Sequence, residues 1–228
     1  MKSLIKFLFI SIFAVSLLNS CIELSKNTPL KQIEITTDPL TRLLEGNKRL
    51  NENHILHPDQ GVSYIRSLDK GQHPFAVVIG CSDSRVPPEL LFDQGFGDLF
   101  VIRTAGNIIG DYEIGSIEYA VEHLHSPIVV VLGHQNCGAI SAYTEHLNDT
   151  VPGHIQNLID YIKDETEEKS LDKNSPNFLH ESILANIRHG VNILNTSEPI
   201  MKKLVEEKKV RIVGAIYNLD NSTVEIVN

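Results

Sequence analysis

The 228-residue chain is 42% hydrophobic and 21% charged, and it carries a formal net charge of −9 at pH 7. This length and composition predict one ordinary globular domain, alone or with short arms. An acidic chain without basic clusters argues against a nucleic-acid-binding function. A nucleotide cofactor is also excluded, because the segment Gly95-Phe-Gly97 lacks the third glycine of a dinucleotide fingerprint and no Walker pattern is present.

The amino terminus has the pattern of a secretory signal peptide. Two lysines lie within residues 1–6, and the apolar run that follows at 7–18 is too short for a comfortable transmembrane helix. The sequence around Cys21 resembles a bacterial lipoprotein box, in which the cysteine becomes the lipidated first residue. We therefore predict a signal peptide at 1–20, an acylated Cys21 and a tether at 21–37. The expected location is the periplasmic side of the bacterial cell envelope, with a membrane anchor only through the lipid. A soluble periplasmic protein is the alternative.

From residue 38 onwards the pattern alternates between helices and strands. Asp38 and Pro39 predict a helix start, because an N-cap residue precedes a proline in the first turn, and leucines at helical spacing extend this helix to about residue 51. Further helices are predicted at 87–92, 110–125, 138–143 and within 152–209, and strands at 75–80, 98–103, 127–133, 210–217 and 223–227. The last two strands form a hairpin, and the β-α-β alternation predicts an α/β fold with a mainly parallel sheet. The acidic run at 164–169 is predicted to be solvated.

Candidate metal ligands follow two of the buried strands. Cys81 and Asp83 come after the first predicted strand, and His134 and Cys137 come after the third. The carboxyl ends of parallel strands are where α/β proteins bind their ligands. A lone buried Cys or His more often packs in the core, but the two motifs together form a specific signal. Two thiolates and an imidazole, with a carboxylate in reserve, suit Zn²⁺ in tetrahedral geometry.

These motifs, completed by Arg85, resemble the zinc site of the β-class carbonic anhydrases. The resemblance covers roughly residues 38–227 and is most specific from Gln72 to Gly138. It implies a β-carbonic anhydrase domain at 38–228, in which a mainly parallel central sheet is flanked by helices, with an amino-terminal helical arm and a carboxy-terminal hairpin. It also implies a homodimer or higher homo-oligomer whose first helix reaches across to the partner. The sequence alone equally allows that helix to pack on its own core.

The same resemblance implies an enzyme that reversibly hydrates CO₂ to bicarbonate and a proton. One Zn²⁺ per chain would be held by Cys81, His134 and Cys137, and hydroxide bound to the zinc would attack the substrate. Asp83 and Arg85 would form a dyad that orients this hydroxide, and in a closed state Asp83 would become the fourth zinc ligand. Because Arg85 can clamp the carboxylate bidentately, the sequence leaves open whether Asp83 contacts the metal.

The resemblance assigns three further residues to the substrate pocket. Gln72 matches an amide that hydrogen-bonds the substrate oxygen, and Phe100 and Tyr119 match an apolar wall contributed across the dimer interface. For the two aromatic residues, ordinary core packing is an equal alternative. Two departures from the family are present: Ala139 stands where a second glycine is common, and the chain has no tryptophan, which argues against the bicarbonate-inhibited subclass.

Two other functions fit the same motifs. A hydrolase of CS₂ or carbonyl sulfide would use the same zinc hydroxide chemistry on the same scaffold. A non-catalytic zinc-binding envelope protein would need Asp83 as a permanent fourth ligand, because structural zinc sites are closed by four protein ligands. The presence of Arg85 and Gln72 favours the carbonic anhydrase.

Overall fold

The central sheet is built from short runs rich in β-branched residues. The computed structural model describes residues 38–227, and its strands are β1 (Ala76–Cys81), β2 (Leu99–Thr104), β3 (Ile128–His134), β4 (Arg211–Tyr217) and β5 (Val224–Val227). The strand order is β2-β1-β3-β4-β5; the pairings among the first four are parallel, and β5 runs antiparallel to β4. The predicted α/β fold, with its mainly parallel sheet and carboxy-terminal hairpin, is confirmed.

Helices flank this sheet along the chain. They are α1 (Pro39–Asn51), α2 (Val62–Ser67), α3 (Pro88–Leu91), α4 (Asp111–Glu122), α5 (Gly138–Glu145), α6 (Ile155–Asp164), α7 (Phe178–Thr196) and α8 (Met201–Glu206). Helix α4 packs against β1 and β2, whereas α7 packs against β3 and β4. The region predicted to be helical from 152 to 209 is divided among α6, α7 and α8, and Pro176 and Pro199 stand in the breaks, where a proline is tolerated.

The two central strands position the residues that matter for the site. Every residue of β1 and β3 is buried, as expected for strands that have a neighbour on each side and helices over the sheet. Both strands end one residue later than predicted, so Cys81 and His134 are the last residues of their strands rather than the first residues of loops. Strand β2, at the edge of the sheet, is half-buried to exposed along its length.

The first predicted helix is confirmed as α1, and it packs on its own chain. Leu43 is completely buried in the core. The Arg42 guanidinium donates to Asp98 at 2.6 Å, and Arg49 donates to Asp93 at 2.6 Å. These contacts attach α1 to the segment just before β2 of its own chain.

The prediction that the acidic run at 164–169 is solvated is wrong for two of its residues. Glu165 and Glu168 are 1% and 0% exposed. The chain turns inward after α6 and forms a 3₁₀ turn at Glu168–Ser170, which packs against α7, where the Ser182 hydroxyl donates to Glu168 Oε1 at 2.6 Å. Both carboxylate oxygens of Glu165 and the Oε2 of Glu168 are buried without a hydrogen-bond partner in the described part of the chain. Composition alone therefore misled here, because tertiary packing covers two of the acids.

No helix within residues 38–227 is long and apolar enough to cross a membrane. The predicted signal peptide at 1–20, the acylated Cys21 and the tether at 21–37 lie outside the described residues. They stay predictions from the sequence.

Candidate metal centre

Three ligand atoms converge where β1 and β3 end side by side. The two strands are paired with Gly80 opposite Leu132, so Cys81 and His134 emerge at the same edge of the sheet. Cys137 is the N-cap residue of α5, three residues after His134. One ligand atom from each of the three residues lies within 4.8 Å of the others, and all three residues are buried. The structure thus brings the three predicted ligands together.

The geometry of this triad fits a tetrahedral zinc ion. The Sγ atoms of Cys81 and Cys137 are 3.9 Å apart, whereas zinc–sulfur bonds of about 2.3 Å at a tetrahedral angle would place them about 3.8 Å apart. The Nε2 atom of His134 is buried and has no hydrogen-bond partner among residues 38–227. Its Nδ1 atom lies 2.8 Å from the carbonyl oxygen of Gln135. A ring that donates from Nδ1 keeps the Nε2 lone pair for a metal.

The surroundings favour a thiolate at Cys81. The backbone N–H groups of Asp83 and Gly106 both donate to its Sγ atom at 3.4 Å. Hydrogen bonding from the Cys137 thiol is the main cause that lowers the pKa of Cys81, and the two N–H groups lower it further against the effect of burial. The same sulfur–sulfur contact, together with burial, raises the pKa of Cys137. Metal ligation requires deprotonated thiols, so these donors favour binding.

Gly106 is needed at this site for two reasons. Its φ of 69° lies in the left-handed region, and a Cβ atom there would come within 2.9 Å of the Ala139 side chain. Its N–H group must also approach the Cys81 sulfur. Ala139, which departs from the family pattern, therefore packs directly against the turn that supports a ligand.

Asp83 and Arg85 form a bidentate ion pair beside the triad. The Nε atom of Arg85 donates to Oδ1 at 2.9 Å and its Nη2 atom donates to Oδ2 at 2.7 Å, while the backbone N–H of Arg85 also reaches Oδ1 at 2.9 Å. These hydrogen bonds hold the pKa of the Asp83 carboxyl well below its usual range. Asp83 is not part of the group of converging ligand atoms found within residues 38–227. The carboxylate therefore stays ionised and engaged by arginine.

The three predicted substrate-pocket residues lie away from the metal ligands of their own chain. Gln72 is exposed and precedes β1 by four residues, whereas Cys81 is the last residue of β1. At about 3.3 Å per residue, the strand alone separates its ends by about 17 Å. Phe100 pairs with Val77 near the start of β1, and its ring lies 6.2 Å from the ring of Tyr119, which is 48% exposed. About half of the Tyr119 side chain is therefore exposed, so ordinary core packing accounts for this residue only in part.

Two polar residues outside the predicted motifs hold the segments that carry the ligands. Arg103 donates from Nε to the carbonyl of Cys81 at 2.9 Å and from Nη2 to the carbonyl of Asp83 at 2.6 Å. Asn186 on α7 donates to the carbonyl of Gly106 at 2.8 Å. Neither residue belongs to a recognisable motif; a charged residue near the end of an otherwise apolar strand was the only signal for Arg103.

The fold and the triad together define an α/β protein with a buried Cys₂His cluster that could hold one metal ion. Residues 76–224 match the family model described as carbonic anhydrase. The chain is 38% identical over 185 residues to carbonic anhydrase 2 of Mycobacterium tuberculosis, which covers 78% of this chain and 86% of that relative. The solved structure of the β-carbonic anhydrase CcaA superposes with a TM-score of 0.63 at 27% identity, covering 82% of this chain and 86% of that one.

A second solved structure, the Coccomyxa β-carbonic anhydrase in complex with acetazolamide, has a TM-score of 0.61 at 25% identity and covers 84% of this chain and 87% of that one. The protein therefore belongs to the carbonic anhydrase family of enzymes, and its fold places it in the β class. The resemblance inferred from the two sequence motifs is confirmed.

Proposed function

We propose that the protein catalyses the reversible hydration of CO₂ to bicarbonate and a proton, with one Zn²⁺ held by Cys81, His134 and Cys137. The observation that carries this proposal is the bidentate Asp83–Arg85 pair beside the buried triad. Because arginine engages the carboxylate, the protein offers three ligands, which is the number typical of catalytic rather than structural zinc. Membership of the carbonic anhydrase family supports the substrate.

Zinc, when bound, supplies the Lewis acidity that makes hydroxide available near neutral pH. The protein tunes this acidity through its ligands. Two thiolates donate more charge than two imidazoles would, so we expect activity to rise toward alkaline pH. The N–H groups of Asp83 and Gly106 withdraw part of that charge from the Cys81 sulfur.

Asp83 acts in this proposal as a fixed hydrogen-bond acceptor next to the metal ligands. Two donors from Arg85 occupy Oδ1 and a third occupies Oδ2, so Oδ2 has one lone pair left. That lone pair can accept a hydrogen bond from the attacking water and so orient the water toward CO₂. Arg85 has the complementary task of keeping the carboxylate away from the metal.

Two substitutions test this division of roles. We expect Arg85→Ala to retain stoichiometric zinc and to lose roughly 10–100-fold of the CO₂ hydration rate, because the released carboxylate would move onto the metal. Asp83→Asn should also retain zinc and lose activity, since the orienting acceptor is gone. Stopped-flow hydration and metal analysis at one alkaline pH measure both. Arg66→Ala on α2, at an exposed residue that makes none of the hydrogen bonds of the metal centre, is the matched control and should behave as wild type.

The alternatives give different outcomes in the same experiment. A structural four-ligand site predicts that Asp83→Asn weakens zinc binding and that Arg85→Ala has little effect. A zinc-loaded wild type that hydrolyses CS₂ or carbonyl sulfide but does not hydrate CO₂ would contradict the proposed substrate.

The substrate pocket is proposed to be completed by a second copy of the chain. Gln72 and Phe100 lie toward the far end of the sheet from the Cys81 of their own chain, which supports a role for them in the site of another chain. The half-exposed Tyr119 and the partly exposed edge strand β2 offer a surface through which two copies could meet. A homodimer or higher homo-oligomer would then be required for activity.

Mixed oligomers test this arrangement. A Gln72→Ala chain keeps the metal site, whereas a Cys137→Ser chain keeps Gln72 but loses the metal site. If Gln72 acts in a partner's site, co-assembly should restore part of the activity that neither variant has alone. If Gln72 acts within its own chain, mixing should restore nothing, because no metal site would then receive the amide.

We also propose that the mature protein is a lipoprotein of the bacterial envelope, anchored through Cys21. This proposal rests on the signal-peptide pattern of residues 1–20 and on the sequence that precedes the cysteine. An acyl anchor would place the enzyme at the periplasmic face of a membrane without a spanning segment.

A further inference from the structure

The Arg103 side chain donates hydrogen bonds to both ends of the segment from Cys81, a candidate metal ligand, to Asp83 of the dyad. It is the second-last residue of β2, opposite Gly80 in the parallel pairing with β1. Its guanidinium donates to two main-chain carbonyls that lie two residues apart, those of Cys81 at 2.9 Å and Asp83 at 2.6 Å. A planar guanidinium can make two such bonds at once, which a single ammonium group cannot do in the same geometry.

The two N–H groups between these carbonyls are also hydrogen-bonded. The N–H of Ser82 donates to the carbonyl of Thr104 at 2.9 Å, which extends the sheet ladder by one residue. The N–H of Asp83 donates to the Cys81 sulfur at 3.4 Å. Asp83 therefore has hydrogen-bond partners at its N–H, at its carboxylate and at its carbonyl, which accepts from Arg103 and also from the Val86 N–H at 3.2 Å.

These partners differ in the part of Asp83 that they hold. The Arg85 side chain engages the carboxylate in a bidentate ion pair and is 51% exposed, so solvent screens that pair. The contact from Arg103 acts on the backbone instead. Any turn of the Asp83 carboxylate toward the metal that also shifts the main chain at residue 83 would have to break the bond from Arg103.

We propose that Arg103 is a positioning residue that keeps the Asp83 carboxylate out of the coordination shell of the metal. It acts through the Asp83 carbonyl, independently of the Arg85 clamp. This inference rests on the proposed function for the identity of the metal site. The residue touches neither substrate nor metal, and its effect on the reaction is exerted through the conformation of Asp83.

The test uses Arg103→Met and Arg103→Lys in the full chain, loaded with Zn²⁺ or with Co²⁺. We expect both variants to lose roughly 10–100-fold in kcat for CO₂ hydration, as is typical when a residue that orients a ligand is removed. Zinc affinity, measured by chelator competition, should be equal to or higher than that of wild type, because the released carboxylate adds a ligand. The visible absorption of the Co²⁺ form should change, since it reports the number of ligands.

A double variant separates positioning from a merely structural role. In Arg103→Met combined with Asp83→Asn, the side chain at residue 83 is a much poorer ligand, so the Co²⁺ spectrum should return to that of wild type. Arg66→Met is the matched control for loss of one exposed positive charge and should leave affinity, spectrum and kcat unchanged. Thermal unfolding of each variant checks that the fold is retained, and Arg103→Lys serves if Arg103→Met does not fold.

Two results would overturn the proposal. One is a joint fall of zinc affinity and kcat in both Arg103 variants, which indicates that the residue only supports the ligand loop. The other is an unchanged Co²⁺ spectrum. Failure of the proposed function is distinguishable: a wild type that does not hydrate CO₂ would remove the kcat readout, whereas metal affinity and the Co²⁺ spectrum would still show where Asp83 lies.

Discussion

Glu165 should make the stability of the fold fall as the pH rises. Its side chain is 1% exposed, and both carboxylate oxygens lack a hydrogen-bond partner within residues 38–227. Burial, followed by the negative charges of Glu168 and Glu167, raises the pKa of Glu165 to about 9. At neutral pH the folded protein therefore keeps this carboxyl protonated, whereas the unfolded chain ionises it.

The sign and size of the effect follow from linkage. Because the folded pKa is raised, the contribution of Glu165 is fully present below the unfolded pKa of about 4.5 and is lost as the pH rises to about 9. Within that window the free energy of unfolding falls by about 1.4 kcal/mol per pH unit for one such group. Between pH 6 and pH 8 the loss is about 3 kcal/mol, a large fraction of the stability of a typical domain.

The assay is urea unfolding at pH 6, 7 and 8 of wild type, Glu165→Gln and the exposed control Glu206→Gln. The amide of Glu165→Gln has the shape of the protonated acid but does not titrate, so this variant should gain about 3 kcal/mol relative to wild type between pH 6 and pH 8. The other titratable groups that interact with Glu165 or Glu168 are Glu167, Tyr143, Tyr161 and Lys173. Parallel pH profiles for wild type and Glu165→Gln would refute the reasoning.

Three further predictions follow from other parts of the chain. Cys137→Ser should lose most of its zinc, because two remaining ligands are too few, and stoichiometric zinc in metal analysis would contradict the assignment. Gly46→Ala should destabilise the fold by about 1–3 kcal/mol or more in urea unfolding, since its Cβ would lie 1.7 Å from the carbonyl oxygen of Phe92; an unchanged midpoint would contradict this. Cys21→Ser should leave the membrane fraction or remain unprocessed, and unchanged fractionation without lipid mass on the wild type would remove the anchor.

The Cys₂His cluster could be predicted because the signals for its residues are local. Apolar runs indicated the two central strands, and Cys and His residues occur directly at the ends of those strands. Neighbouring parallel strands bring their carboxyl ends together at one edge of the sheet, so these residues meet there. Both strands end one residue later than predicted, so Cys81 and His134 are the last residues of their strands. This shift did not alter the site, because consecutive residues at a strand end leave the sheet at the same edge.

The contacts that no pattern predicted are long-range ones. Arg103 lies twenty residues from Asp83 in sequence, and only the pairing of β1 with β2 brings its guanidinium to that carbonyl. Glu165 and Glu168 have the composition of a solvated run, but the chain turns inward after α6 and buries them. In both cases tertiary packing overrides what the local sequence favours.

Within the proposed site, closeness in sequence does not predict closeness in space. Cys81 and His134 are far apart in sequence and meet because their strands are neighbours. Gln72 is only nine residues from Cys81, yet the length of β1 lies between them. The metal half of the proposed site is therefore complete within one chain, while the substrate half would have to come from another. Zinc binding and catalysis should then be separable, because a monomer would keep its metal and lack the pocket in which CO₂ is held.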